Sequence, residues 1–239
     1  MGSEERREKG GVMILSDAQA VNFREIRMGK IAPNILYRSS HPIKDDKQEP
    51  VISMLAAGAR IAAIINLSDF SSEIKRKAFF APWYNSLLKN GKVIALGMDF
   101  SHSSEGFNKK LKKGLQFVIN TEGPWLIHCH AGVDRTGFVS IVLEALMGAT
   151  VDEITGDYLQ SFNSIFDSVV FSGSKSDSLV VMQLLSAMGG DMPINDQNLP
   201  VIATNYLRNN IKLSNIEIEM LIRKLAGIPP NLKLGTNSI

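Results

Sequence analysis

Cys129 and Arg135 stand with five residues between them in the stretch Trp125-Leu-Ile-His-Cys-His-Ala-Gly-Val-Asp-Arg-Thr-Gly137. An apolar run that reads as a strand ends at His128, and a helical pattern begins at Thr136. A loop between a strand end and a helix start gathers free backbone N–H groups and the positive end of the helix dipole, which suits a dianionic oxyanion. The same field favours the thiolate form of a cysteine, the form that attacks. Gly132 lets the backbone curl round the anion without a Cβ in the way. Arg135 can grip two phosphate oxygens in a bidentate fork, and residues His130, Ala131, Gly132, Val133 and Asp134 complete the cradle. Thr136 can donate its hydroxyl to the sulfur and help it leave. His128 is placed to hydrogen-bond a loop carbonyl. The chemistry implied is phosphoester hydrolysis through a phosphocysteine, with no metal and no cofactor.

Two plainer readings compete. A lone cysteine is often a small buried hydrophobe, and His128-Cys129-His130 resembles a set of metal ligands. Adjacent residues at a strand end point in opposite directions, however, which makes a three-ligand site awkward. The anion cradle accounts for Cys, Gly, Arg, Thr and Gly together.

A leaving alkoxide or phenoxide needs a proton, and two carboxylates are placed to give it. Asp99 follows the apolar run 93–96, and Asp134 lies in the loop itself. Their plainer roles are a turn residue and a loop-orienting acceptor. Arg38, in Tyr37-Arg-Ser-Ser40, either supports the loop from behind or is an exposed strand-end arginine.

These residues need a scaffold. The chain has 239 residues, 26 Lys+Arg against 24 Asp+Glu, 44% hydrophobic residues and one cysteine. A single cysteine excludes an intrachain disulfide framework, so stability must come from a packed core. A net charge of +2 predicts no general attraction to nucleic acid. The apolar runs fall short of a membrane span, and stable membrane insertion is not expected. Residues 1–15 read as a flexible tail, and 16–239 as one domain with a core at 20–162 and a helical part at 163–239. Without an apolar leader the expected compartment is the cytoplasm; secretion would require that Met1-Gly2-Ser3 replaced a native signal peptide.

Strand-like runs at 35–38, 61–67, 93–96 and Trp125–His128 alternate with helical patterns at 51–57, 73–89 and 107–120. That alternation predicts an α/β layered fold on a mainly parallel sheet, flanked by helices. Past Arg135 only helices follow, including two announced by capping boxes, Thr150 with Glu153 and Ser214 with Glu217. Residues 164–176 read as a serine-rich loop. Lys109, Lys110, Lys112 and Lys113 read as a solvated helix face, with an anionic docking surface as the sharper alternative.

The segment His128-Cys129-His130-Ala131-Gly132-Val133-Asp134-Arg135-Thr136-Gly137 resembles the signature loop of the protein tyrosine phosphatase superfamily. More narrowly, the chain resembles the bacterial tyrosine phosphatase family with dual- or triple-specificity members. Asn22-Phe23-Arg24-Glu25 with Leu36-Tyr37-Arg38-Ser39-Ser40, Ile154-Thr-Gly-Asp157-Tyr158-Leu159, and Tyr206-Leu207 with Leu213-Ser214 carry the rest of the likeness. It departs at Val133, where the family often has a lysine linked to inositol-phosphate recognition, and at Ser68, where arginine commonly follows the strand-end leucine. The resemblance implies a three-layer tyrosine-phosphatase-like fold with a C-terminal helical extension. It also implies a phosphoprotein or phosphopeptide partner, with phosphoinositide or inositol polyphosphate as the alternative substrate. Within the superfamily both Asp99, by its spacing, and Asp134, by its place in the loop, have counterparts that serve as the acid. A non-catalytic phosphate-binding module is the competing class, and the presence of both Cys129 and Arg135 speaks against it. Neither the oligomeric state nor the physiological substrate is encoded legibly.

Overall fold

The structure is a computed structural model that describes residues 18–45, 47–165 and 175–229, with side chains omitted at 162–165 and 175–177. The tail 1–15 and most of the serine-rich loop 164–176 fall outside the described residues. Five strands form one sheet: β1 (Arg24–Glu25), β2 (Leu36–Ser39), β3 (Ala63–Asn66), β4 (Val93–Ala95) and β5 (Trp125–His128). Their spatial order is β1-β2-β5-β3-β4, parallel throughout except for the antiparallel edge pair β1–β2.

Side-chain alternation divides the strands between two cores. Trp125 and Ile127 of β5, with Ala63 and Ile65 of β3, enter the larger core, whereas Leu126 and Ile64 enter the smaller one on the opposite face. The smaller core is closed by α1 (Gln48–Gly58), α2 (Ser71–Lys77) and α3 (Pro82–Lys89), through Ile52, Ile74 and Tyr84. The larger is closed by α4 (Glu105–Asn120), α5 (Asp134–Leu146) and four C-terminal helices. These are α6 (Val151–Ile165), α7 (Lys175–Gly189), α8 (Leu199–Asn209) and α9 (Asn215–Leu225). The expected three-layer α/β fold with a C-terminal helical extension is therefore present.

Helix ends follow local chemistry. Ser104 Oγ accepts the Phe107 amide at the start of α4, and the capping boxes at Thr150–Glu153 and Ser214–Glu217 both form. The segment 73–89, expected as one helix, is two. Proline lacks an N–H and clashes with the preceding turn, so α2 ends in a tight turn at Ala78–Phe80 and α3 restarts with Pro82 as its first residue. Helix α5 begins at Asp134 rather than Thr136. The two-residue strand β1 had no recognisable signal.

Register levels the strand ends. Ser39 of β2 and Asn66 of β3 both pair with His128 of β5, and Asn66 also pairs with Ala95 of β4. The segments that follow, starting at Ser40, Leu67, Leu96 and Cys129, therefore leave the same carboxyl edge, where parallel α/β sheets place ligands.

Candidate active site

The loop leaves β5 at Cys129 and enters α5 at Asp134. Each carbonyl on the way is held from outside. His128 O accepts from Leu67 N at 2.9 Å and His130 O from His41 N at 3.1 Å. Ala131 O accepts from Asn22 Nδ2 at 3.4 Å, and Gly132 O from Asn22 Nδ2 at 3.1 Å and Arg38 Nη2 at 2.8 Å. Val133 O accepts from Gly137 N at 2.6 Å. The amides of residues 130–133 donate to no acceptor among the described residues. A concave set of free N–H groups at a helix N-terminus is an anion site.

Gly132 makes the curl possible. Its φ is +76°, and a Cβ there would lie 2.4 Å from Ser39 O. Gly137 is excluded from larger residues by Tyr158, whose ring would meet a Cβ at 2.6 Å.

Behind the loop lies a buried ionic clamp. Asp157 of α6 accepts from Arg24 Nε at 2.9 Å and from Arg38 Nη1, and Arg24 also donates to the Asp157 carbonyl and to Ser161 Oγ. Burial by itself raises the Asp157 carboxyl, but the charges of Arg38 and Arg24 outweigh it and hold the group below the ordinary carboxylate range. Arg24 is lowered to about 10 by burial and by the like charge of Arg38. Arg38 is thus wholly buried, and the reading of it as an exposed strand-end arginine is overturned.

A second network supports His128 and, through it, the Cys129 carbonyl. Asn66 Nδ2 donates to Asp69 Oδ2 and to Tyr84 Oη, and Tyr84 Oη lies 3.2 Å from His128 Nε2. His128 Nδ1 is 3.2 Å from the Cys129 carbonyl, an acceptor only. The proton therefore sits on Nδ1, and Nε2 accepts from Tyr84. Burial keeps His128 neutral, well below the usual histidine range. Both ring nitrogens are thereby committed, which removes His128 as a metal ligand. Asp69 closes the network by accepting from His41 and Lys77. Burial alone would raise Asp69, yet the hydrogen bonds from His41, Lys77 and Asn66 hold it well below its usual range. Ser68 donates to Asn66 Oδ1 at 3.1 Å.

At the loop, Cys129 is 2% exposed and free of any disulfide. Arg135 donates through Nη1 to the Met98 carbonyl at 2.9 Å, and its guanidinium lies 4.4 Å from the centre of the Phe100 ring. The buried Arg135 Nε and Thr136 Oγ1 have no hydrogen-bond partner among the described residues, so donors stand ready there. Asp134 and Asp99 are both exposed; Asp99 Oδ1 accepts from Ser101 N at 2.9 Å. His102 is within electrostatic reach of both: burial lowers it, while the charges of Asp134 and Asp99 oppose that shift. The sequence placed Cys129, Arg135, Thr136 and Arg38 in the site, but gave no role to Asn22, Arg24, Asp157, Asn66, Asp69, His41 or Tyr84. For Asn22, Arg24 and Asp157 the signal was present in the segments that carry the family likeness.

The chain is similar to two solved structures from S. cerevisiae. One is the core catalytic domain of the PP-IP phosphatase SIW14 in complex with citrate, at 21% identity and a TM-score of 0.42, covering 78% of this chain and 94% of that one. The other is the Siw14 catalytic core, at 20% identity and a TM-score of 0.41, with the same coverage. No curated protein matches. The profile described as "Tyrosine phosphatase family" matches residues 16–186, most of the chain. By that match the chain belongs to the tyrosine phosphatase family and is a cysteine-dependent phosphatase.

Proposed function

We propose that the protein hydrolyses phosphotyrosine in proteins through a phosphocysteine intermediate. The observation that carries this reading is the loop 129–133, whose carbonyls accept from groups outside it and whose amides at 130–133 are left without an acceptor among the described residues. The Cys129 thiolate attacks phosphorus, forming the P–S bond as the P–O bond to tyrosine breaks. Arg135 and the loop amides hold the charge that spreads over the three equatorial oxygens. Asp134 gives its proton to the departing phenolic oxygen. Water then attacks the phosphocysteine, Asp134 takes the water proton, and the Thr136 hydroxyl donates to the leaving sulfur.

Asp134 is preferred to Asp99 because it adjoins Arg135, and Asp99 is engaged by the Ser101 amide. Phe100, 61% exposed over Arg135, offers a flat wall to a phenyl ring, and the neutral Val133 favours it over a polyanionic inositol ring. Turnover of para-nitrophenyl phosphate in EDTA, with Cys129→Ser as control, tests the chemistry. A panel of phosphotyrosine peptide, phosphoserine peptide, phosphoinositide and inositol hexakisphosphate tests the specificity. Faster turnover of either inositol substrate than of phosphotyrosine peptide would overturn it.

A further inference from the structure

The turn between α2 and α3 inverts the usual economy of burial. In Ala78-Phe79-Phe80-Ala81 the two alanines are buried, at 0% and 1% exposure, while Phe79 and Phe80 stand 71% and 78% exposed. Large aromatic side chains dominate core energetics when buried, and a soluble surface gains nothing from two adjacent ones. Their rings touch edge to face at 5.1 Å, so they form one apolar tip. Immediately before it stand Lys75, Arg76 and Lys77. Lys75 and Arg76 are exposed and make no hydrogen bond or ion pair among the described residues.

The positive charge continues to the loop. Burial lowers His130, and the charges of Lys44, His41, Arg135 and Lys77 lower it further, so Lys44 and Lys77 lie within electrostatic reach of the loop. Phe70, 56% exposed, stands at the start of α2. By contrast, the lysines of α4 are partly occupied: Lys110 holds the Gly97 carbonyl, Lys112 the Lys212 carbonyl and Lys109 the Glu105 carboxylate.

We infer that segment 75–80 is a docking surface for an anionic lipid bilayer, with Phe79 and Phe80 entering the headgroup boundary and Lys75 and Arg76 facing the lipid charges. Aromatic side chains with one apolar body favour that interface, and each nearby cation strengthens binding roughly five-fold. The two rings are exposed side by side, and the basic run beside them sets the sign of the partner. No helix among the described residues is long and apolar enough to cross a membrane, so the attachment is peripheral. Docking here would hold the mouth of the Cys129 loop near the surface, although it does not depend on turnover.

The test is co-sedimentation of the full chain with phosphatidylcholine vesicles, with and without phosphatidylserine. That lipid is a phosphodiester and no substrate for a phosphomonoesterase, so Cys129→Ser should bind as the native chain does. Binding should require phosphatidylserine and weaken as salt rises. The double variant Lys75→Glu, Arg76→Glu should bind at least about 25-fold more weakly, and Phe79→Ser, Phe80→Ser at least about ten-fold. Both should keep native turnover of para-nitrophenyl phosphate, which shows that the fold survives. Failure of the native chain to bind, equal binding to neutral vesicles, or full binding by both variants would overturn the inference. So would a solution oligomer, seen by light scattering, that the phenylalanine variant dissolves while vesicle binding is absent.

Discussion

Arg38 Nη2 donates to the Gly132 carbonyl at 2.8 Å, and Arg38 Nη1 meets the Asp157 carboxylate. One wholly buried side chain of β2 therefore fixes the loop and ties it to α6. Arg38→Ala strips Asp157 of one of its two cations and leaves a cavity. Breaking a buried pair in this way costs about 3–5 kcal/mol, which should appear in urea unfolding as a lower midpoint. Arg38→Lys should recover part of that stability but little of kcat, because one ammonium cannot span Gly132 O and Asp157 together. Equal recovery of stability and kcat by the lysine variant would show that charge alone matters.

Gly132→Ala should leave a folded protein with a distorted loop. The φ of +76° is strained for any residue with a Cβ, and that atom would sit 2.4 Å from Ser39 O and 2.7 Å from Ser39 C. Backbone atoms cannot yield as a side-chain tip can, so the loop itself must move. A displacement near 1 Å at reacting groups costs about 100-fold in rate. Steady-state kinetics with para-nitrophenyl phosphate should show that loss in kcat, with far-ultraviolet circular dichroism unchanged.

The parts of this site that could be read from the sequence are those that are local in the chain. Cys129, Gly132, Arg135 and Thr136 lie close together in sequence, on one loop and the first turn of the helix that follows it, and their spacing alone states the chemistry. The supports are remote: Asn22 reaches Gly132, Arg24 reaches Asp157, and Tyr84 reaches His128. No periodicity marks a polar residue as buried and functional, so Asn66, inside the strand-like run 61–67, and Asp69 received no role from the sequence. The same limit explains the elements. The apolar spacing runs through 73–89 without interruption, and only the stereochemistry of Pro82 divides it. Strand β1, with two residues, is too short to show alternation.

Glu144 introduces a pH dependence. Its carboxyl lies within α5, fully buried, and neither oxygen meets a donor among the described residues. Burial, reinforced by the charge of Asp157, raises it well above the usual range despite Arg38 and Arg24. In the folded chain Glu144 therefore keeps its proton at pH values where the unfolded chain has lost it. The folded state binds more protons, so stability falls as pH rises above about 4.5 and towards the folded value. Glu144→Gln removes that penalty. Its melting temperature should exceed that of the native chain by a few degrees at pH 7, with the gain shrinking towards pH 4.5. A gain independent of pH would mean that packing, not ionisation, is responsible.

Asp134 and Asp99 are separated by their effect on the basic limb of the pH–rate profile. A general acid must carry its proton when the leaving oxygen departs, so kcat falls as pH rises past its titration, and replacement by asparagine abolishes that limb. Asp134→Asn should flatten it and slow phenyl phosphate, whose leaving group is a poor one, by about 100-fold or more. It should slow para-nitrophenyl phosphate far less, since that leaving group departs with little help. Asp99→Asn keeps an oxygen that can accept the Ser101 amide but removes the carboxylate charge from the turn that carries Phe100 and, through the Met98 carbonyl, contacts Arg135. Its effect should fall on KM, with the limb retained. If the limb disappears in Asp99→Asn and persists in Asp134→Asn, the proton comes from the loop after β4, and Asp134 only orients the start of α5.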